Sequence, residues 1–279
     1  MADAGLTHGV WLERVPGLLA ECVDEWKLEL GAPYDQGAAG FTVRAALADG
    51  TPAVLKLIFP HPEAEHEAEA LRVWDGDGAV RLLAHDELRW AMLLERCEPG
   101  TLLARSEPDV ALDVFVGLLP RLWRQVDAPF RPLAAEAKGW IDVLPDEWER
   151  AGRPFEREVL DAALDSLAGL ADTQGERVLL HQDLHGDNVL AAEREPWLVI
   201  DPKPLVGERE FAVAPIVRDP ELGHSRREVL HRLDLLTSEL GLDRERARGW
   251  TIGQTIAWSF DTSYSDAHVQ TVRWLLESR

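Results

Sequence analysis

Cysteine is scarce in this chain: Cys22 and Cys97 are the two among 279 residues. Two thiols build neither the disulfide framework of a small secreted domain nor a cysteine-rich zinc site, so both are expected to be reduced. Long apolar runs are missing as well; none approaches the roughly 20 residues needed to span a bilayer. The opening MADAGLTHGVWLERV lacks the basic start and apolar core of an export signal, and a soluble cytoplasmic protein is expected. Positive charge is short, with 29 Lys and Arg against 50 Asp and Glu and a formal charge of −21. A phosphate backbone or an anionic bilayer calls for a basic surface, so neither a nucleic acid nor a membrane is expected as partner. The same charge can attract a cationic small molecule, or can merely keep the protein soluble. No internal repeat and no low-complexity tract is present. No G-x-x-x-x-G-K-[ST] occurs, which excludes a Walker-type phosphate loop.

What is present is an ordinary globular composition, 46% hydrophobic and 28% charged, with eleven Trp as candidate anchors for a core or a cleft. Apolar spacing predicts a helix over 6–30, with Gly31 and Pro33 as its stop. Two apolar runs, 41–48 and 53–59, flank Asp49-Gly50, a hairpin signal. A helix is expected from Pro62 with Ala68, Leu71 and Trp74 along one side, then short strands at 79–84 and 88–95. Beyond the break at Pro99-Gly100, helices are expected at 108–127, 135–150, 154–173, 225–240, 243–260 and 266–278, with short apolar runs at 189–192 and 197–200. The outline is an α+β chain: a small strand-rich lobe over 1–97 and a larger helical lobe over 98–279. A cleft between two such lobes is a common place for a ligand.

The chemistry concentrates in LLHQDLHGDNVL, residues 179–190. His181, Asp183 and His185 alternate and would share one face of an extended segment, as ligands of a hydrolytic zinc would. The cluster can equally be a polar loop that caps helices. A third reading demands more of the sequence: an Asp to orient a hydroxyl, an Asn a few residues on to hold a metal, and a second Asp after a strand to bridge Mg²⁺ to phosphates. His181-x-Asp183-x4-Asn188 has that spacing, and WLVIDPK places Asp201 at the end of an apolar strand. Asp201 could instead cap the turn that Pro202 begins.

Phosphoryl transfer of this kind also needs a strand lysine on the nucleotide phosphates and a helical glutamate to hold it. AVLKL puts Lys56 inside an apolar strand, where an unpaired ammonium is costly; at a sheet edge it could snorkel to water instead. Glu67, four residues before Leu71, lies on the inward face of the next helix and is the expected partner, with Glu69 second. YDQGAAGFTV supplies Gly37 and Gly40 where a nucleotide-covering loop would sit, without the fuller glycine pattern. LLERCEPG, with Glu95 and Cys97, fits a hinge whose backbone would meet adenine.

Together VLKL, HEAEALRVWDGDGAVRLL, LLERCEPGTLL, HQDLHGDNVL and WLVIDPKPLVGE resemble the aminoglycoside/hydroxyurea phosphotransferases, and within them the streptomycin 6-kinase-like branch, over about 35 to beyond 220. The resemblance implies a protein-kinase-like two-lobed fold and transfer of the γ-phosphate of ATP, with Mg²⁺, to a drug hydroxyl. It makes 1–97 the nucleotide-binding lobe and 98–279 the catalytic and substrate-binding lobe. By motif, Asp183 is catalytic, Asn188 and Asp201 are metal ligands, and Lys56 with Glu67 serves the nucleotide. A cationic substrate such as streptomycin, with its two guanidinium groups, would seek carboxylates in the helical lobe; Asp219 and Asp261 are the candidates. A monomer is expected. Two positions depart from the family pattern: Gln182 stands where glycine is usual, and Phe211-Ala212 where Tyr-Asp is frequent. The rivals are a same-fold kinase of an amino sugar or other metabolite, a nucleotide-binding pseudokinase, and a metal-dependent hydrolase.

Overall fold

The computed structural model describes residues 7–34, 40–126, 129–260 and 262–278. The chain forms two compact units, one of residues 1–101 with 191–201, the other of residues 102–190 with 202–279. A single cut after residue 97 does not reproduce this division, because 191–201 cluster with the first unit.

In the first unit α1 (His8–Trp26) is capped by the Thr7 hydroxyl and buries Trp11, Val15 and Cys22 along one face. The chain then reverses into β1 (Glu29–Pro33), an edge strand paired antiparallel with β2 (Gly40–Ala46). The helix expected to run to residue 30 ends earlier, at Trp26 with Lys27 in the left-handed region, and Gly31 and Pro33, expected as its stop, lie within β1 instead; an edge position tolerates a proline that has no N–H to give. The hairpin from β2 to β3 (Pro52–Ile58) turns at Asp49, whose carboxylate accepts the Thr51 N–H at 2.9 Å. After α2 (Glu67–Trp74) come β4 (Leu82–Asp86) and β5 (Ala91–Glu95), completing a five-stranded sheet of order β1-β2-β3-β5-β4. Alternation along β3 separates two jobs. Ala53, Leu55 and Leu57 join Trp11, Val15 and Cys22 in the core, while Lys56 faces the other way.

The second unit is helical: α3 (Pro108–Leu122), α4 (Leu133–Arg150) and α5 (Arg157–Ala171) come first. A small sheet follows from β6 (Arg131–Pro132), β7 (Arg177–Leu180) and, further on, β10 (Leu205–Glu208), with β10 in the middle. Between β7 and β10 the chain makes the short ribbon of β8 (Val189–Ala191) and β9 (Trp197–Val199). Then come α6 (Ala214–Arg218), α7 (Arg226–Leu240), α8 (Arg244–Ala257) and α9 (Ser265–Glu277). The Ser225 and Asp243 side chains cap α7 and α8. The expected helices at 108–127, 135–150, 154–173, 225–240, 243–260 and 266–278 all form with shifted ends, whereas β7 and β10 had no reading as strands. No described helix is long and apolar enough to cross a membrane.

Helices α5 and α8 meet at close range because Gly253 has no side chain: a Cβ there would lie 2.5 Å from Leu167 Cδ2, and Leu167 is fully buried. Gly253→Val should therefore cost about 1–3 kcal/mol by overpacking, read as a lower urea midpoint with an unchanged slope.

Candidate active site

The first unit carries a buried cation between two carboxylates. Lys56, paired across the sheet with Thr42 and Met92, reaches Glu67 Oε1 at 2.6 Å and Asp201 Oδ1 at 3.0 Å. Glu67 is 3% exposed, whereas half of the Asp201 side chain faces solvent. Burial works against the Lys56 charge, but attraction to Asp201 and Glu67 overrides it and the ammonium titrates above its ordinary range. Burial raises the Glu67 carboxyl, and the Asp201 charge adds to that rise against the pull of Lys56. Glu67 is the helical partner the sequence pointed to; Glu69 turns instead to Arg72, at 2.8 Å.

Asp201 follows β9 in the left-handed region, at φ 53°. Its segment is fixed by backbone bonds, Val80 N–H to Val199 O at 3.0 Å and Val199 N–H to Gly78 O at 2.9 Å. Arg194 adds a clamp: Nε and Nη2 donate to the two Glu95 carboxylate oxygens at 2.7 and 2.9 Å, and Nη1 and Nη2 to the carbonyls of Gly76 and Ala79. The Glu95 side chain is thus occupied by Arg194 and its backbone N–H donates to Arg81 O. Cys97 is buried, which pushes its thiol up to about 12 and keeps it protonated. Gly37 of the expected covering loop lies outside the described residues.

In the second unit the loop from His181 to Asn188 is held from three directions. The Asp183 N–H donates to His181 Nδ1 at 3.3 Å, and the Asn188 amide donates to the Asp183 carbonyl at 2.8 Å. Gly186 packs on the backbone of Ala104, where an added Cβ would fall 2.7 Å from the Ala104 Cα. Gln182 adopts φ 65°, a conformation glycine takes freely and other residues only under strain. Its carbonyl accepts the Gln254 amide at 2.9 Å and its own amide reaches Glu136 at 3.4 Å, contacts that hold the left-handed turn. The second departure, Phe211-Ala212, is core: Phe211 is fully buried against Trp140 and Trp250.

Around the Asp183 carboxylate stand Lys203 and Arg218, to which the sequence had given no role, and His185, read there as a possible zinc ligand. Lys203 Nζ lies 3.1 Å from Oδ2, and Arg218 Nη2 and His185 Nε2 lie 3.7 and 3.9 Å from Oδ1. Burial alone would raise the Asp183 carboxyl, but Lys203, His185, Arg218 and His181 together hold it below the ordinary carboxylate range. Both Lys203 and Arg218 also lie over the Trp258 ring, at 4.6 and 4.5 Å. The only available signal for Lys203 was its place two residues beyond Asp201 in WLVIDPK. Asp219, a substrate candidate, is buried; its Oδ1 accepts the Glu221 N–H at 2.9 Å. Asp261 lies outside the described residues. As for metal ligands, no cluster of three or more His, Cys, Asp or Glu able to hold an ion occurs among the described residues, so a zinc hydrolase has no donor set. In the second unit the tie of the Asn188 nitrogen to the Asp183 carbonyl leaves the Asn188 carboxamide oxygen without that bond; in the first unit Asp201 has a half-exposed carboxylate.

These charges set a dependence on pH. A carboxyl held low adds stability that is present above its unfolded value and lost as pH falls through its folded value. Lys203→Met should raise the Asp183 carboxyl, so the acid-unfolding midpoint should move to higher pH than in the parent protein.

Comparison with known proteins shows the family. The family model of aminoglycoside/hydroxyurea antibiotic resistance kinases matches residues 29–261. The chain is 43% identical over 254 residues to a streptomycin 6-kinase of Streptomyces griseus, covering 88% of this chain and 82% of that one. It is 42% identical over 251 residues to a hydroxyurea phosphotransferase of Kitasatospora aureofaciens, covering 88% and 72%. Among solved structures, the choline kinase LicA of Streptococcus pneumoniae has the same fold, with a TM-score of 0.69 at 15% identity over 95% of this chain and 99% of that one. The chain belongs to the aminoglycoside/hydroxyurea antibiotic resistance kinase family and is a phosphotransferase.

Proposed function

We propose that the protein transfers the γ-phosphate of ATP to a hydroxyl of a small antibiotic-like acceptor, with an aminoglycoside, streptomycin above all, as the first reading. The observation that carries this is Lys56 held between Glu67 and Asp201. A buried ammonium fixed by two carboxylates is positioned to give its remaining N–H to a phosphate oxygen. In this reading Lys56 serves the nucleotide phosphates, Glu67 orients Lys56, and Asp201 and Asn188 hold Mg²⁺. Mg²⁺ takes oxygen donors from one or two protein groups together with phosphate, and when bound it would neutralise charge on the transferring group.

Asp183 accepts the acceptor's hydroxyl hydrogen and aims the oxygen for in-line attack. A carboxyl held below its ordinary range stays ionised at neutral pH, so it works by orientation and by a late proton transfer. The Cys97 thiol, buried and protonated, is not a nucleophile in this reading. The name of the Kitasatospora relative supports a second acceptor, hydroxyurea, on the same residues. The chain's charge of −21 favours the cationic drug by long-range attraction.

Incubation with ATP, Mg²⁺ and each acceptor in turn, followed by mass spectrometry, should show one phosphoryl group added to streptomycin or to hydroxyurea. Asp183→Asn should lower kcat by about 10²–10⁴-fold with the fold retained by circular dichroism. Asp201→Ala should abolish transfer. Full activity in either variant, or transfer to neither acceptor, would count against the proposal.

A further inference from the structure

Lys203 both touches the Asp183 carboxylate and reaches solvent, a combination that Arg218 lacks. Its place follows from the small sheet of the second unit. Strands β7 and β10 pair antiparallel with Leu205 opposite Leu180. The ladder runs one step further, from the Lys203 N–H to the His181 carbonyl at 3.0 Å. The strand that leads into the Asp183 loop thereby fixes the Lys203 backbone, and the side chain turns back over that loop. Nζ lies 3.1 Å from Asp183 Oδ2 and 4.6 Å from the centre of the Trp258 ring. The other carboxylate oxygen, Oδ1, faces Arg218 at 3.7 Å and His185 at 3.9 Å, both beyond hydrogen-bond length. Exposure separates the two strong cations: 29% of the Lys203 side chain is open to solvent, against 7% for Arg218. A lysine also carries its point charge on a flexible stem, so it can follow a group that moves. The carboxylate is therefore divided. Oδ2 is engaged by an ammonium, and the cations facing Oδ1 stand off.

We propose that Lys203 is a further catalytic residue, whose ammonium donates to an oxygen of the transferring phosphoryl group while the acceptor hydroxyl rests on Asp183 Oδ1. This rests on the phosphotransferase reading above. The geometry of the reaction links the two contacts. A hydroxyl oxygen about 2.7 Å from the carboxylate attacks the phosphorus in line, which brings the phosphoryl oxygens close to a cation already paired with Oδ2. In the step, the acceptor oxygen bonds to the γ-phosphorus as the bond from that phosphorus to the β–γ bridging oxygen breaks. The electron pair of the broken bond leaves with ADP, and the hydroxyl proton goes to Asp183 and from there to water. Lys203 neither gains nor loses a proton. It turns one N–H from Asp183 to a non-bridging phosphoryl oxygen, so the charge that held the empty carboxylate is spent on the group in flight. Trp258 supports the ammonium through both positions, because the attraction of a ring face has no single direction.

The full-length enzyme with ATP, Mg²⁺ and the acceptor it phosphorylates, streptomycin or hydroxyurea, tests the assignment. Lys203→Met should lower kcat about 10²–10³-fold, the loss of one fixed donor to the transferring group. The KM values of ATP and of the acceptor should each stay within about threefold, the pattern of an interaction made only in the transition state. Lys203→Arg keeps a cation beside Asp183 and should fold where the methionine variant fails; its kcat should fall between those of the parent and Lys203→Met, again at unchanged KM values. A binding measurement stands apart from turnover. With Mg²⁺ and acceptor present, ADP with aluminium fluoride mimics the transferring phosphoryl group, and calorimetry should show it bound at least about tenfold more weakly by Lys203→Met than by the parent. ADP alone should bind both proteins alike. A lysine that only neutralised Asp183 would leave both affinities unchanged, and it would shift the acid limb of the kcat profile while the plateau kept the parent value. A parent-like plateau in both variants, or equal affinity of parent and Lys203→Met for the aluminium fluoride complex, overturns the assignment while the phosphotransferase reading stands. Transfer to neither streptomycin nor hydroxyurea by the parent removes that reading, and the assignment with it.

Discussion

An ammonium in the middle of a β-strand has to be neutralised, and much of the first unit is arranged to do so. Lys56 sits among apolar neighbours on β3, and an uncompensated charge there would cost several kcal/mol. Glu67 supplies one counter-charge from the next helix, which is local and simple. Asp201 supplies the other from 145 residues further along the chain. The requirement explains why 191–201 belong to the first unit although the chain on both sides belongs to the second. Asp201 does not hold this position by its one bond to Lys56. Backbone bonds between 78–80 and Val199, and the Arg194 clamp on Glu95, Gly76 and Ala79, anchor the returning strand before the carboxylate is reached. The left-handed backbone at Asp201 is affordable only on such an anchor.

The second unit solves the converse problem, a buried anion. Asp183 is held below the ordinary carboxylate range by several neighbours rather than by one partner, with Lys203 at 3.1 Å, Arg218 at 3.7 Å and His185 at 3.9 Å. A carboxylate locked into a bidentate pair would be a poor acceptor for a new hydrogen bond; one surrounded by separate charges stays available. The rigidity comes from elsewhere. Gln182 is tied through its carbonyl to Gln254 of α8, Asn188 is tied to the Asp183 carbonyl, and Gly186 lies flat on Ala104. The loop is positioned by its backbone, and the functional carboxylate is left to electrostatics. At position 182 a glutamine replaces the usual glycine, and two hydrogen bonds offset the strain of its left-handed backbone.

How much of this was legible depends on the range of the interaction. The helices were readable from 3.6-residue spacing and the β2–β3 hairpin from Asp49-Gly50, because both signals are local. Glu67 could be preferred to Glu69 for the same reason: helix geometry alone puts it on the face of Leu71. β1 was hidden by residues that end helices, and β7 and β10 are strands of four residues each, too short for alternation to speak. Arg194, Lys203, Arg218 and Trp258 carry no periodicity at all, and their partners lie far away in sequence. Glu95 shows the limit from the other side. Its place in a hinge gave a reading for its backbone alone, and the bond of its side chain to Arg194, 99 residues on, had no local signal.

Charge acts on this protein at two distances, and the two need not favour the same group. A net charge of −21 attracts cations at long range, although salt confines that attraction to about 8 Å at physiological ionic strength. Within contact distance of Asp183 the sign is reversed, since Lys203 and Arg218 supply the nearest charges. A molecule that is cationic at one end and rich in hydroxyls at the other satisfies both conditions, because the outer field turns it while the inner cations admit only its oxygens. A small neutral molecule gains nothing from the outer field but meets the inner one equally well. On the proposed reading both kinds of acceptor would meet the same carboxylate and the same two cations, so the difference between them should appear in how fast they arrive rather than in how they are held.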